Sequence, residues 1–178
     1  MSRIRRVISS LSRPEAAAAA AQDTSNNAAP QTYSQWCRLL DEIVASPRNE
    51  DYIEVVRKGS VSWTSGVAER FVQSVADMIR KRVNNAVDVY QRQMKNSRYG
   101  ETDISRALQV LAKEYRYLYQ MAQALPIPEK YVKELSDLVQ EDADRTNQSL
   151  TDSARSDHSG RLGAIVRSAG VNKLSGRS

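Results

Sequence analysis

Apolar residues recur at helical spacing through the middle of the chain, and this pattern predicts long helices rather than strands. From Val67 to about Lys95 no Gly or Pro interrupts, and the apolar positions step by alternating intervals of four and three residues. After residues 96–100 the same pattern resumes and continues to Leu125. A loop this short between two long helices predicts an antiparallel helical hairpin with a heptad seam. The seam positions are Val72, Ala76, Ile79, Val83, Ala86 and Tyr90, followed by Ile104, Leu108, Leu111, Tyr115, Leu118, Ala122 and Leu125.

Shorter amphipathic segments flank this hairpin. Thr32 is a suitable N-cap for a first helix, and that helix ends at Ser46 because Pro47 disfavours the helical conformation of the residue before it. A short second helix follows, and Gly59 is expected to end it in the left-handed conformation. Pro128 suits the first turn of a last helix. The predicted fold is therefore all-α, an elongated bundle of about five helices built on the hairpin.

Charge and aromatic residues divide the chain into a domain and two tails. Residues 33–146 hold both Trp, all eight Tyr and the only Phe, and their 17 Lys and Arg balance 17 Asp and Glu. The tails supply the whole net charge of +5. We therefore expect a helical domain over residues 32–146 and, over residues 147–178, a disordered basic arm rich in Gly and Ser. Residues 1–31 are expected to form a basic amphipathic segment (2–13) and an Ala-rich linker.

The N-terminal segment, residues 2–13, has the sharpest pattern outside the domain. Its aliphatic residues share one helical face, its arginines lie on the other side, and no acid precedes Glu15. Besides a plain disordered arm, three uses fit this composition: a mitochondrial transit peptide, attachment to an anionic membrane surface, or docking as a helix into a groove of a partner protein. The last use makes Ile4, Val7, Ile8, Leu11, Arg3 and Arg6 the predicted partner-binding residues.

No catalytic pattern occurs in the sequence. The single Cys37 and the single His158 cannot by themselves build a Cys/His zinc site, and we interpret Cys37 as a core thiol. A phosphate-binding glycine loop and a nucleophile elbow are both absent from the sequence. We therefore expect no enzyme activity, no cofactor and no metal. The acids of the last predicted helix are interpreted as a solvated face: Glu134, Asp137, Glu141, Asp142 and Asp144.

Basic side chains along the first long helix and at its end resemble a nucleic-acid footprint. Acidic residues interrupt the same helix, and the neutral domain argues against a dedicated basic platform. Tyr117 faces away from the seam and is the tyrosine predicted to contact a partner. The candidate nucleic-acid contacts are Arg80, Lys81, Arg82, Arg92, Lys95 and Arg98.

These observations favour a non-enzymatic structural or adaptor subunit of a larger protein assembly. It would contact protein partners through its terminal arms and form a homo-oligomer. The alternative is a nucleic-acid-associated protein that uses the basic clusters and the tails. Since no run approaches the roughly 20 apolar residues of a membrane span, we expect a cytoplasmic protein or part of a soluble assembly. The mitochondrial matrix is expected instead if residues 1–20 are a transit peptide.

Overall fold

The computed structural model describes residues 28–60, 64–95 and 100–175, and these residues form an all-helical fold. The all-α class predicted from the sequence is confirmed, with six helices in this part of the chain instead of about five. The segment 2–13 with its predicted partner-binding residues, and Arg98, lie outside the described residues. The helices are α1 (Tyr33–Ala45), α2 (Asp51–Lys58), α3 (Ser65–Lys95), α4 (Glu101–Ala124), α5 (Glu129–Ala154) and α6 (Arg161–Ala169).

Local signals set the limits of α1 as the sequence predicts. Thr32 is extended and accepts a hydrogen bond from the Gln35 backbone amide, while the Gln35 side chain accepts one from the Thr32 amide. This reciprocal capping box satisfies amides that the first helical turn leaves without partners. Ser46 is extended, with a ψ of 154°, and Pro47 follows it. Helix α1 therefore ends where proline forbids another turn.

Helix α4 is central to the packing. It contacts α2, α3, α5 and α6, whereas α1 packs on α3. The sequence-predicted surface position of Tyr117 is wrong, because that side chain is only 1% exposed. A heptad seam predicts only the face of a helix that packs on one neighbour. Helix α4 has four neighbours, so residues outside its seam are buried as well. Its buried apolar residues are Leu108, Leu111, Ala112, Tyr115, Tyr117, Leu118, Met121, Ala122 and Ala124.

The predicted disordered arm over residues 147–178 is wrong as far as the chain is described, to residue 175. Helix α5 continues to Ala154, and α6 packs against both α4 and α5. The Gln140 side-chain amide donates to the Asn172 carbonyl at 2.9 Å, so polar contacts also hold this segment. Its polar composition misled the prediction, because a few apolar residues suffice when an existing core covers them. Ala154, Val166, Ala169, Val171 and Leu174 belong to the main core.

Glycine at both ends of α6 defines that helix rather than weakening it. Gly160 and Gly170 have φ values of 68° and 56°, in the left-handed region that favours glycine. The Asp157 carboxylate accepts hydrogen bonds from the backbone amides of Leu162 and Ser159, at 2.9 and 3.1 Å. These hydrogen bonds lower the pKa of Asp157, and the bond from the Leu162 amide has the largest effect. Helix α6 therefore begins at a specific polar turn.

Gly59 ends α2, but in a conformation other than the predicted one. Its φ is −69° and its ψ is 162°, so left-handed backbone does not explain the glycine. A Cβ atom at this position would lie 2.4 Å from Cζ2 of Trp36. The Trp36 ring is fully buried, contacts Phe71 edge-on at 5.0 Å, and donates its indole N–H to the Ser60 carbonyl at 3.0 Å. Glycine is needed here because the ring packs directly on the backbone.

We expect Gly59→Ala to lower the free energy of unfolding by about 1–3 kcal/mol, because the added methyl group overpacks the Trp36 site. Urea unfolding measures this loss. Gly66→Ala is the matched control, since a Cβ at Gly66 meets no atom within 4 Å and Gly66 lies in α3. The control should leave stability unchanged or raise it by up to about 1 kcal/mol. Equal effects of the two substitutions would contradict the packing explanation.

Candidate binding groove

An open apolar groove lies between α3 and α4, beside the end of α1. Its volume is about 230 Å³. The groove exists because α1 stops at Ser46, whereas α3 and α4 continue beyond that point with their outer faces uncovered. The apolar lining consists mainly of Val44 from α1, Ala86, Val89 and Tyr90 from α3, and Val110 and Leu111 from α4.

Two valines at this groove are unusually accessible. Val89 is 48% exposed and Val110 is 58% exposed. The other large exposed apolar residue among those described is Tyr33, at 36%. Single exposed apolar residues are ordinary, but two that line one cavity form a patch that water solvates poorly. Both valines lie off the predicted seam, and a branched apolar residue on an otherwise polar helix face was the sequence signal for them.

A buried ion pair forms the inner wall of the groove. Arg82 from α3 donates through Nε to the Glu114 carboxylate of α4 at 2.5 Å, and these residues are 7% and 9% exposed. Arg82 also donates to the carbonyls of Ile43 and, at 2.9 Å, Ser46. Helix α1 has no basic residue in its last turn, so Arg82 supplies the positive charge that its C-terminal end favours. The pair therefore connects three helices.

This arrangement corrects the prediction for Arg82 as a nucleic-acid contact. Its guanidinium is buried and donates to a carboxylate and two carbonyls, so it is not accessible to a phosphate. Its sequence neighbours differ, since Arg80 is exposed in an ion pair with Asp77 at 3.1 Å, and Lys81 is exposed and forms no ion pair within the described part of the chain. Arg92 and Lys95 are also exposed. Sequence proximity alone grouped side chains that point in different directions around one helix.

Tyr117 lies against the ion pair with its ring under the Arg82 guanidinium, whose Cζ is 5.3 Å from the ring centroid. Its hydroxyl is buried and makes no hydrogen bond of normal geometry with the described residues, although the Asn49 backbone amide is near enough to act against the rise of its pKa. Burial raises the pKa of Tyr117 to about 12, while the Arg82 charge opposes this shift. Tyr115 differs, since its hydroxyl donates to Asp142 at 2.9 Å and lies 2.7 Å from the Thr146 hydroxyl. Of these two tyrosines, only Tyr115 therefore has side-chain hydrogen-bond partners for its hydroxyl.

We expect Tyr115→Phe to destabilise the protein by about 1–2 kcal/mol, because Asp142 and Thr146 lose a buried partner. Tyr117→Phe should leave stability unchanged or raise it by about 1 kcal/mol, because the removed hydroxyl has no partner. Urea unfolding near neutral pH compares the two variants, and each is the matched control for the other. A larger loss for Tyr117→Phe than for Tyr115→Phe would contradict this assignment.

The raised pKa of Tyr117 also predicts a loss of stability at high pH. Because the pKa of a buried tyrosine is higher in the folded than in the unfolded state, the unfolded chain loses the proton first as the pH rises. The free energy of unfolding is therefore unaffected below about pH 10 and falls as the pH rises toward the folded pKa. For Tyr117, with a folded pKa of about 12, the loss by about pH 11 is roughly 1 kcal/mol. Tyr117→Phe should therefore lose less stability than wild type between pH 8 and pH 11, as urea unfolding at both values would measure.

The acids predicted to form a solvated face on the last long helix lie mainly at the surface of α5. Asp142 is the exception, because it is half-buried and accepts the Tyr115 hydrogen bond. A second groove, about 520 Å³ in volume, brings Arg80 of α3 together with Glu134, Asp137 and Glu141 of α5. Lys130 and Lys133 line the same groove, so basic and acidic side chains are mixed along it. Cys37 is a free, half-buried thiol, and His158 is exposed.

Comparison of the chain with protein-family models, curated proteins and solved structures gave no match. None of the helices in the described ranges is both long and apolar enough to cross a membrane. Within those ranges, no cluster of three or more His, Cys, Asp or Glu residues is arranged to hold a metal ion. Functional inference therefore depends on the groove and on the charges around it.

Proposed function

We propose that the chain is a non-enzymatic structural or adaptor subunit of a larger protein assembly. It binds a protein partner in the groove between α3 and α4, and its N-terminal segment provides a second contact. The observation that carries this proposal is the pair Val89 and Val110, which line one apolar cavity and are about half exposed. A partner that covers them would remove apolar surface from water, which is the main driving force of most protein association.

The arrangement of α3 and α4 supports a rigid platform for that partner. Arg82 lies opposite Glu114, and Tyr90 lines the same groove as Ala107, so residue numbers rise on α3 as they fall on α4. An antiparallel hairpin with a heptad seam has this register. A groove built on two long packed helices holds its shape, so little conformational entropy is lost when a partner binds.

Of the two terminal arms that the sequence predicts as partner contacts, only the N-terminal one remains in this proposal. Residues 154–174 contribute buried side chains to the core, so that part of the tail stabilises the fold and is not a free contact arm. Residues 2–13 remain the arm proposed to bind partners, through the face formed by Ile4, Val7, Ile8 and Leu11. A homo-oligomer remains part of the proposal, with a second copy as one candidate for the bound partner.

Site-specific photo-crosslinking tests the proposal. A benzoylphenylalanine replaces Val110 in the groove, and the control carries it in place of Ser149, which is exposed on α5. In the source cells we expect a discrete crosslinked protein, or a crosslinked second copy, from position 110 and a much lower yield from position 149. No protein adduct at position 110, or equal yields from both positions, would contradict a protein-binding groove.

Nucleic-acid binding is the second candidate, and the exposure of Lys81, Arg92 and Lys95 supports it. Arg80 is a weaker contact because it already pairs with Asp77. Phosphate contacts release counterions, so affinity for DNA or RNA must fall steeply with salt. A titration at about 50 mM and about 200 mM salt tests this candidate, and absence of binding at the lower concentration rules it out.

A further inference from the structure

We propose that the groove between α3 and α4 binds an acidic amphipathic helix of a partner protein. This inference rests on the proposed function and names the chemistry of the partner at the same site. It combines two observations, the apolar lining of the groove and the sign of the charges beside it.

The dimensions of the groove fit a helix of about three turns. Its α3 wall extends from Arg82 to Gln93, which corresponds to roughly 16 Å at 1.5 Å per residue. Ala86 and Ala107 are small, so they leave space between α3 and α4 for inserted side chains. A helix that presents apolar residues at positions i, i+3 or i+4, and i+7 places them along such a groove. Val89 and Val110 would contact that apolar stripe.

The charges beside the exposed valines are mainly basic. Arg92 follows Val89 by three residues, and Arg106 and Lys113 lie four before and three after Val110, which makes them surface neighbours on their helices. All three basic side chains are exposed, and none forms an ion pair with the described residues. These three residues, the basic rim, are positioned to meet carboxylates that flank the apolar stripe of a bound helix.

The acids of the same two helices offset this rim only in part. Glu114 is buried in its pair with Arg82. Asp88 and Asp103 are exposed, four residues before Arg92 and three before Arg106, so each is a surface neighbour of one rim residue. Lys113 has no acid three or four residues away on α4, and Lys95 follows Arg92 by three residues. Basic side chains therefore still outnumber acidic ones beside the groove, which favours an acidic partner.

Other occupants fit these observations less well. The N-terminal segment of this chain is itself basic, so its arginines would be repelled by the basic rim. A second copy that docked groove to groove would bring two basic rims together. A nucleic acid would use the basic side chains, but its phosphates and sugars would gain little from covering Val89 and Val110.

Binding of designed peptides to the full-length protein tests the proposal by fluorescence anisotropy at about 50 mM salt. The acidic probe is a helical peptide of about 16 residues with Leu at i, i+3, i+4 and i+7 positions and Glu beside them. The second probe is its Lys-for-Glu counterpart, the third is a peptide of residues 2–13, and the fourth is a DNA duplex. We expect the acidic peptide to bind at least tenfold more tightly than either basic peptide, with affinity that falls as salt increases.

Two variants and one control locate the site. Val110→Asp and the triple charge reversal Arg92→Glu, Arg106→Glu, Lys113→Glu should each weaken acidic-peptide binding at least tenfold. The triple variant should then prefer the Lys-containing peptide, since the charges on both sides have been exchanged. Lys133→Glu, an exposed charge reversal on α5, should not change binding. Circular dichroism melting verifies that all variants remain folded.

Equal binding of acidic and basic peptides, or acidic-peptide binding that survives Val110→Asp, would overturn the proposal. Tighter binding of the 2–13 peptide would identify an intramolecular occupant and also overturn it. DNA binding that depends on the basic rim but not on Val110, without acidic-peptide binding, would assign the surface to nucleic acid. Crosslinking at position 110 to a protein segment without clustered acids would refute this inference while leaving the proposed function intact.

Discussion

Replacing Arg82 with Met is expected to lower the free energy of unfolding by about 3–5 kcal/mol, which is a large share of the stability of a single domain. The substitution leaves the Glu114 carboxylate buried without its partner. It also removes the donor to the Ile43 and Ser46 carbonyls at the end of α1. Urea unfolding measures the loss, and a changed C-terminal end of α1 should also disturb the groove beside it.

A double variant separates the two contributions of Arg82. In Arg82→Met/Glu114→Leu no charge remains buried, so most of the loss should be recovered. The deficit that remains, about 1–2 kcal/mol, reports the two carbonyls of α1 that lack a donor. Arg80→Met is the control, because Arg80 is exposed and its surface pair with Asp77 contributes less than about 1 kcal/mol. A single Arg82→Met variant as stable as Arg80→Met would refute a structural role for the buried pair.

Removal of residues 147–178 is expected to abolish cooperative unfolding of the remaining chain. The deletion takes away the last turns of α5, all of α6 and the buried side chains of Val171 and Leu174. Leu174→Ala in the full-length chain should cost about 2–5 kcal/mol, because the deletion of a buried leucine leaves a cavity. Thermal and urea unfolding of these proteins provide the measurement.

A matched pair of valine substitutions provides the sharper comparison. Val171 is fully buried, so Val171→Ala should cost about 2 kcal/mol. Val110 is 58% exposed, so Val110→Ala should change stability by no more than about 0.5 kcal/mol. If the C-terminal segment were a free arm, the two variants would be equally stable, and the truncated chain would unfold as cooperatively as the full-length chain.

The distinction between an arm and a packed segment changes how partner binding should be studied. A chain shortened to residues 32–146 would lose partners through unfolding, even if no partner touches the deleted residues. Point substitutions at Val110 and at the basic rim keep the core intact, so they report on binding itself. For the same reason, the N-terminal segment is best tested by substitution of Ile4, Val7, Ile8 and Leu11 in the full-length protein.

The sequence alone determined the features that depend on neighbours along the chain. Thr32 and Pro47 set the ends of α1 through backbone geometry, and the regular spacing of apolar residues identified α3 and α4 as long helices. The balanced charge and the aromatic content of residues 33–146 also located most of the core correctly. These are local or compositional properties, so they require no knowledge of how the helices are arranged.

Only the tertiary structure decided which faces are covered. Arg82 belongs to a basic cluster in the sequence, but it is buried because Glu114 and the end of α1 meet it from two other helices. Tyr117 and Val171 are buried because α4 contacts several helices and because α6 folds back on α4 and α5. The groove at Val89 and Val110 exists because α1 ends before α3 and α4 do. Burial depends on contacts between residues far apart in the chain, and helical periodicity reports only the face of one helix.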